Sequence, residues 1–150
     1  MLKVALAGLH LLALGLGLGA VIGRGVALRD PLDLTALRRA FRADTVWGLA
    51  AALWIGTGLW RVIAGTEKPP QYYVHNHLFI TKMALLGLIL ALEIWPMVKL
   101  IRWRIALARG TPVDPAERTQ VARRIAVISH IEGTIVVIMI FVAAAIARGY

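Results

Sequence analysis

Four apolar runs constrain this chain more than any other feature: approximately Val4 to Gly23, Val46 to Ala64, Leu78 to Leu100 and Ile125 to Ala147. Each approaches the roughly 20 residues an α-helix needs to cross the hydrocarbon of a bilayer. No water is present there to satisfy a backbone left outside a helix. The predicted architecture is therefore an all-α integral membrane protein, a four-transmembrane-helix up-and-down bundle forming a single domain over 1–150. Composition agrees: 59% of the 150 residues are hydrophobic and only 17% charged, too apolar for a water-soluble domain of this size. The first run follows a lysine, as a secretory signal would. It is longer than a signal core and contains His10, so it reads as a retained helix.

The net charge of +9 does not point to nucleic acid, because the arginines gather in two stretches between apolar runs. One stretch, from Arg24 to Asp44, holds Arg24, Arg29, Arg38, Arg39 and Arg42. The other, from Ile101 to Arg124, holds Arg102, Arg104, Arg109, Arg118, Arg123 and Arg124. The loop "GTEKPPQYYVHN" has only Lys68. The positive-inside rule places the arginine-rich loops in the cytoplasm and both termini outside, in a bacterial inner membrane. Within the first loop, residues 33–43 read as a short amphipathic helix, with Leu34, Leu37 and Phe41 on one side, lying on lipid headgroups. Cysteine is absent, which excludes disulfides, thiolate metal sites, iron–sulfur clusters and covalently attached haem.

This orientation sorts the intramembrane polar residues into two layers. His10, Arg61 and Lys82 fall in the outer half; Glu93, His130 and Glu132 fall in the inner half, near Asp44. Steps of seven and eleven residues return to nearly one helix face, so His75, Lys82, Ile89 and Glu93 share a stripe that should face the bundle interior. The outer layer has no intramembrane carboxylate, the nearest acid being Glu67 in the loop. It therefore suits an anion such as a porphyrin propionate, a lipid phosphate or a quinone-type carbonyl. Glu93 with His130 or Glu132 has the composition of a proton relay or metal site, although His130 and Glu132 diverge around their helix.

Plainer uses compete with each assignment. Lys82 can snorkel to the interface, Arg61 can anchor a helix end, and His10 can bond a neighbouring helix. His75 and His77 flank Tyr72 and Tyr73 and suit an interfacial belt. Glu93 can be a protonated carboxyl bonded to His130 or Ser129. Gly15, Gly19 and Gly23, spaced by four, form a small-residue seam for helix contact within the protomer or in a homodimer, on the side of the first helix away from His10.

The segments "LHLLALGLGLGA", "LRRAFRADTVWGLAAALWIGTGLWRVI", "YYVHNHLFITKMALL", "KLIRWR" and "AAAIARGY" together resemble an uncharacterised bacterial family of four-helix predicted membrane proteins, a domain of unknown function. The resemblance covers nearly the whole chain and implies a fold without an activity. More distantly, a histidine in the first helix and a lysine early in the third are similar to the membrane-bound protoporphyrinogen oxidase of the HemJ type and to CopD-like copper-resistance proteins. In the oxidase that pair is essential and haem b is bound. The likeness implies His10 and Lys82 as the corresponding site, although the oxidase's "WLHAKLAL" is here "LFITKMAL".

The leading expectation is a redox membrane protein holding haem b or a related porphyrin, with oxidoreductase chemistry of the protoporphyrinogen-oxidase kind. His10 would be the axial ligand, with Arg61, Lys82 and His77 as cofactor-binding residues, and Lys82 and Glu93 as catalytic residues. The alternatives are a structural or assembly subunit of a larger complex, working through its glycine seam and arginine loops, and a small proton-coupled transporter using Lys82 and Glu93 as the two ends of a conduction stripe. Membrane lipids are the partners common to all three.

Overall fold

A computed structural model of the protein describes residues 1–29, 32–65, 70–111 and 114–149. Glu67 and Lys68, to which the sequence reading gave roles, lie outside the described residues. Five helices follow one another: α1 (Leu2–Ala27), α2 (Leu34–Ile63), the short α3 (Pro70–His75), α4 (His77–Ala108) and α5 (Pro115–Arg148). The four long ones are each apolar enough to cross a membrane, and they form the four-helix bundle that the apolar runs predict. Large side chains on its exterior are apolar, among them Leu11, Leu49, Ile94 and Phe141. Such a surface suits lipid and would be costly in water.

Local chemistry sets where the helices start and stop. Asp33 accepts a hydrogen bond from the Ala36 amide at 2.6 Å, Asn76 from Phe79 at 3.0 Å, and Asp114 from Glu117 at 3.2 Å, each satisfying an amide that a helix start leaves open. Gly65, Gly110 and Gly149 follow three helix ends with φ of 53°, 67° and 89°, a region where a side chain is strained. Within α4, Pro96 lacks the N–H that would bond the Leu92 carbonyl.

Several boundaries depart from the sequence reading: α4 runs on to Ala108 and α5 begins at Pro115, so Arg102, Arg104, Arg118, Arg123 and Arg124 lie within helices, and a short α3 precedes α4. The amphipathic segment 33–43 is not a separate surface helix but the first turns of α2, because no proline or glycine stands between Asp33 and the apolar run. Leu37 and Ala40 are consequently buried in a core cluster that also holds residues of α1, α4 and α5. Arg24 lies within α1 rather than in a loop.

The bundle interior is layered along its axis. At the arginine-rich end Ala27, Leu28, Leu37, Leu100, Trp103 and Ile125 form an apolar core. A polar layer around Arg24 comes next. A second apolar core of Val21, Trp47, Trp54, Ile89, Val136 and Met139 follows. Beyond it, toward the ends that carry the termini, a cavity opens between the helices.

Candidate functional site

The cavity has a volume of about 520 Å³, within the range of small-molecule sites. His10 from α1, Arg61 from α2 and Lys82 from α4 all line it, with Tyr73 and Phe79 at its edge and Leu11, Leu14, Val62 and Met139 among its apolar walls. No carboxylate is among the described residues of its lining. The three residues assigned to the outer layer thus meet at one place. His77 does not line the cavity; its side chain is exposed, as is that of His75, whose Nδ1 lies 3.0 Å from the Gln71 carbonyl.

The His10 ring is held from two sides. Gly58 leaves room for it, since a Cβ there would stand 3.1 Å from His10 Cε1, and the Trp54 ring lies 5.7 Å away, centroid to centroid. His10 Nδ1 is 2.9 Å from Thr57 Oγ1. The Thr57 hydroxyl has a single proton, directed at the backbone carbonyls of Leu53 at 2.7 Å and Trp54 at 3.1 Å. Thr57 therefore accepts from His10, which assigns the neutral-ring proton to Nδ1 and the lone pair to Nε2. Trp54, whose ring also lines the cavity, has a buried indole N–H with no acceptor, a group that normally finds one.

The second polar layer centres on Arg24, whose side chain is 0% exposed. Its Nε donates to Ser129 Oγ at 2.9 Å. Nη1 donates to Asp44 Oδ1 at 3.0 Å and Glu93 Oε1 at 2.6 Å. Nη2 donates to Glu93 Oε2 at 2.8 Å and Glu132 Oε2 at 2.7 Å. The guanidinium thus ties α1 to each of the other three long helices, with a bidentate grip on Glu93. Arg104 reaches in from α4 to Asp44 Oδ2 at 2.8 Å and to the Phe41 carbonyl.

Glu93 and Glu132 thus meet on Arg24, whereas the contact of Glu93 with His130 or Ser129 is not made. Glu93 stands in the polar layer, away from Lys82, which lines the cavity. His130 turns to its own helix, with Nδ1 2.6 Å from the Ala126 carbonyl, and packs where Gly25 leaves space. Among the described residues no group of three or more His, Cys, Asp or Glu side chains is placed to hold a metal ion.

A family model described as "Predicted membrane protein (DUF2214)" matches residues 2–150. The chain belongs to that family. No curated protein and no solved structure matches it.

Sequence reasoning missed Arg24, which follows Gly23 at the end of an apolar run and reads as the first arginine of a loop. The available signal was the count of acids. Asp44, Glu93 and Glu132 all fall in the half nearer the arginine-rich stretches, and three carboxylates at one depth require a cation among them. Of the two uses left open for the glycine seam, contact within the protomer is not made. A Cβ on Gly15, Gly19 or Gly23 would meet nothing within 4 Å, whereas one on Gly17 would stand 3.3 Å from Trp47 and one on Gly25 2.5 Å from His130. Close packing inside the protomer uses Gly17 and Gly25, and the seam faces outward.

Proposed function

We propose that this membrane protein binds an anionic amphiphile in its outer-half cavity, and that haem b or a related porphyrin is the ligand its side chains suit best. The supporting observation is the convergence of one histidine and two cations on a cavity that is otherwise apolar. The walls accept a hydrocarbon body. Arg61 and Lys82 suit carboxylates such as propionates. His10, with Nδ1–H committed to Thr57, would hold the haem iron or accept a proton through Nε2, a hydrogen-bonded neighbour being what fixes the tautomer of a ligating histidine. A haem, when bound, supplies one-electron chemistry. The chain's part is to orient the ring, neutralise its acids and exclude water.

The test is an absorption spectrum of the purified protein, as isolated and after adding hemin, with and without dithionite. The expected result is a Soret band of histidine-ligated haem, lost in His10→Ala. Arg61→Gln and Lys82→Gln should each weaken hemin binding about tenfold, the effect of roughly 1.4 kcal/mol. No band in the presence of hemin removes haem as the ligand. Native mass spectrometry then reads whether an anionic lipid is retained in a manner dependent on Arg61 and Lys82, and retention of neither kind overturns the reading.

A further inference from the structure

The Arg24 layer holds more acid than base. A guanidinium has five N–H groups, and Arg24 commits all of them to Ser129, Asp44, Glu93 and Glu132. Arg104 adds one more bond, to Asp44 Oδ2. The three carboxylates have two oxygens each. Five of these six receive an N–H, and the one left is Glu132 Oε1, which is buried without a partner on a residue that is 0% exposed.

The neighbouring helices do not supply the missing donor. Helix α1 contributes Arg24, already saturated; α2 contributes Asp44; α4 contributes Glu93 and Arg104. On α5, His130 points its Nδ1 at the Ala126 carbonyl, and the Ser129 hydroxyl donates to the Ile125 carbonyl at 2.8 Å. Formally the layer sets three carboxylates against two guanidiniums. A bare carboxylate oxygen in such a place is costly. One proton on the carboxyl pair removes the excess charge and leaves at Oε1 a neutral group, which is far less costly to bury than a bare carboxylate oxygen.

We propose that this layer is a proton-binding site, holding one exchangeable proton at neutral pH with Glu132 Oε1 as its seat. Glu93 Oε2 and Glu132 Oε2 share Arg24 Nη2, at 2.8 and 2.7 Å, so the proton belongs to the pair of carboxyls rather than to one alone. The Glu93 side chain is 17% exposed and that of Glu132 0%, which makes Glu93 the member that exchanges with the outside. The site lies on the far side of an apolar core from the His10 cavity, and it stands whatever the cavity binds.

Infrared difference spectroscopy on the whole protein in lipid nanodiscs tests this directly. At neutral pH the wild type should show the carbonyl stretch of a neutral carboxyl, shifted in heavy water and lost as pH is raised. Glu132→Gln should lack that band yet fold, with a thermal midpoint close to wild type, because an amide replaces a neutral carboxyl in shape and charge. Three outcomes overturn the proposal: no neutral-carboxyl band in the wild type at neutral pH, a band that survives both Glu132→Gln and Glu93→Gln, or failure of Glu132→Gln to fold.

Discussion

Replacing Arg24 with methionine tests the energetic role of the polar layer. Methionine keeps an unbranched stem while removing five donors and one buried charge. Counted bond by bond, charge-assisted hydrogen bonds at about 1.5–3 kcal/mol each would give a loss of about 7 kcal/mol or more. That count overshoots because the partners are not all stranded. Asp44 keeps Arg104 at 2.8 Å, and Ser129 keeps its bond to the Ile125 carbonyl. Glu93 is less enclosed, with 17% of its side chain exposed. Glu132 alone is shut in, at 0% exposure. Breaking one side of a buried ion pair costs about 3–5 kcal/mol, and the carboxylates that find other partners place Arg24→Met near the lower end, about 3 kcal/mol. The assay is equilibrium unfolding in mixed micelles of rising dodecyl sulfate fraction, followed by circular dichroism. If Glu132 is the stranded group, the double variant Arg24→Met/Glu132→Met should recover more than half of the loss. A loss below about 1 kcal/mol, the scale of a surface pair, would refute the view that Arg24 joins the helices.

Two further expectations follow from particular contacts. Thr57→Val removes the acceptor for His10 Nδ1 and should weaken or spectrally shift hemin binding, while Thr57→Ser should preserve it; equal spectra for both would show that the tautomer does not matter. Gly25→Ala places a Cβ 2.5 Å from His130 Cε1 and should destabilise the bundle by about 1–3 kcal/mol, the usual cost of overpacking. Gly19→Leu, with nothing within 4 Å of its Cβ, should leave the protomer's stability unchanged in the same unfolding assay. Cross-linking of that variant in membranes reads whether the outward seam pairs two copies.

The spans were legible because apolar length is a one-dimensional property, and the polar layers because helical spacing carries residues seven and eleven apart to one face. His10, Arg61 and Lys82 could be grouped by depth from the chain alone, and the cavity brings them together. What stayed hidden depends on pairings across the bundle. Arg24 looks like a loop residue until Asp44, Glu93 and Glu132 are seen around it. The continuity of α2 is hidden for a related reason: an amphipathic surface helix and the buried start of a spanning helix have the same periodicity, and only the burial of Leu37 and Ala40 in the bundle core separates them. Shared depth makes His130 one of several candidate partners for Glu93. Its direction is set instead by the space at Gly25 and the Ala126 carbonyl.

Lys82 and Glu93 share one stripe of α4, yet the bundle does not join them. They are eleven residues apart, about 16 Å along a helix. Between them Ile89, 3% exposed, packs with Trp47, Trp54, Ile135, Val136 and Met139. The only polar side-chain atoms in that cluster are two indole N–H groups, both without acceptors. An indole donates a proton but cannot accept one, so the cluster provides no relay from the Arg24 layer to the cavity. Transport along the stripe would require the helices to part at Trp47 and Trp54. Ligand binding at His10, Arg61 and Lys82, and proton binding at Glu93 and Glu132, require no such opening, and the apolar core between them is what keeps two polar sites of unlike charge distinct within one bundle.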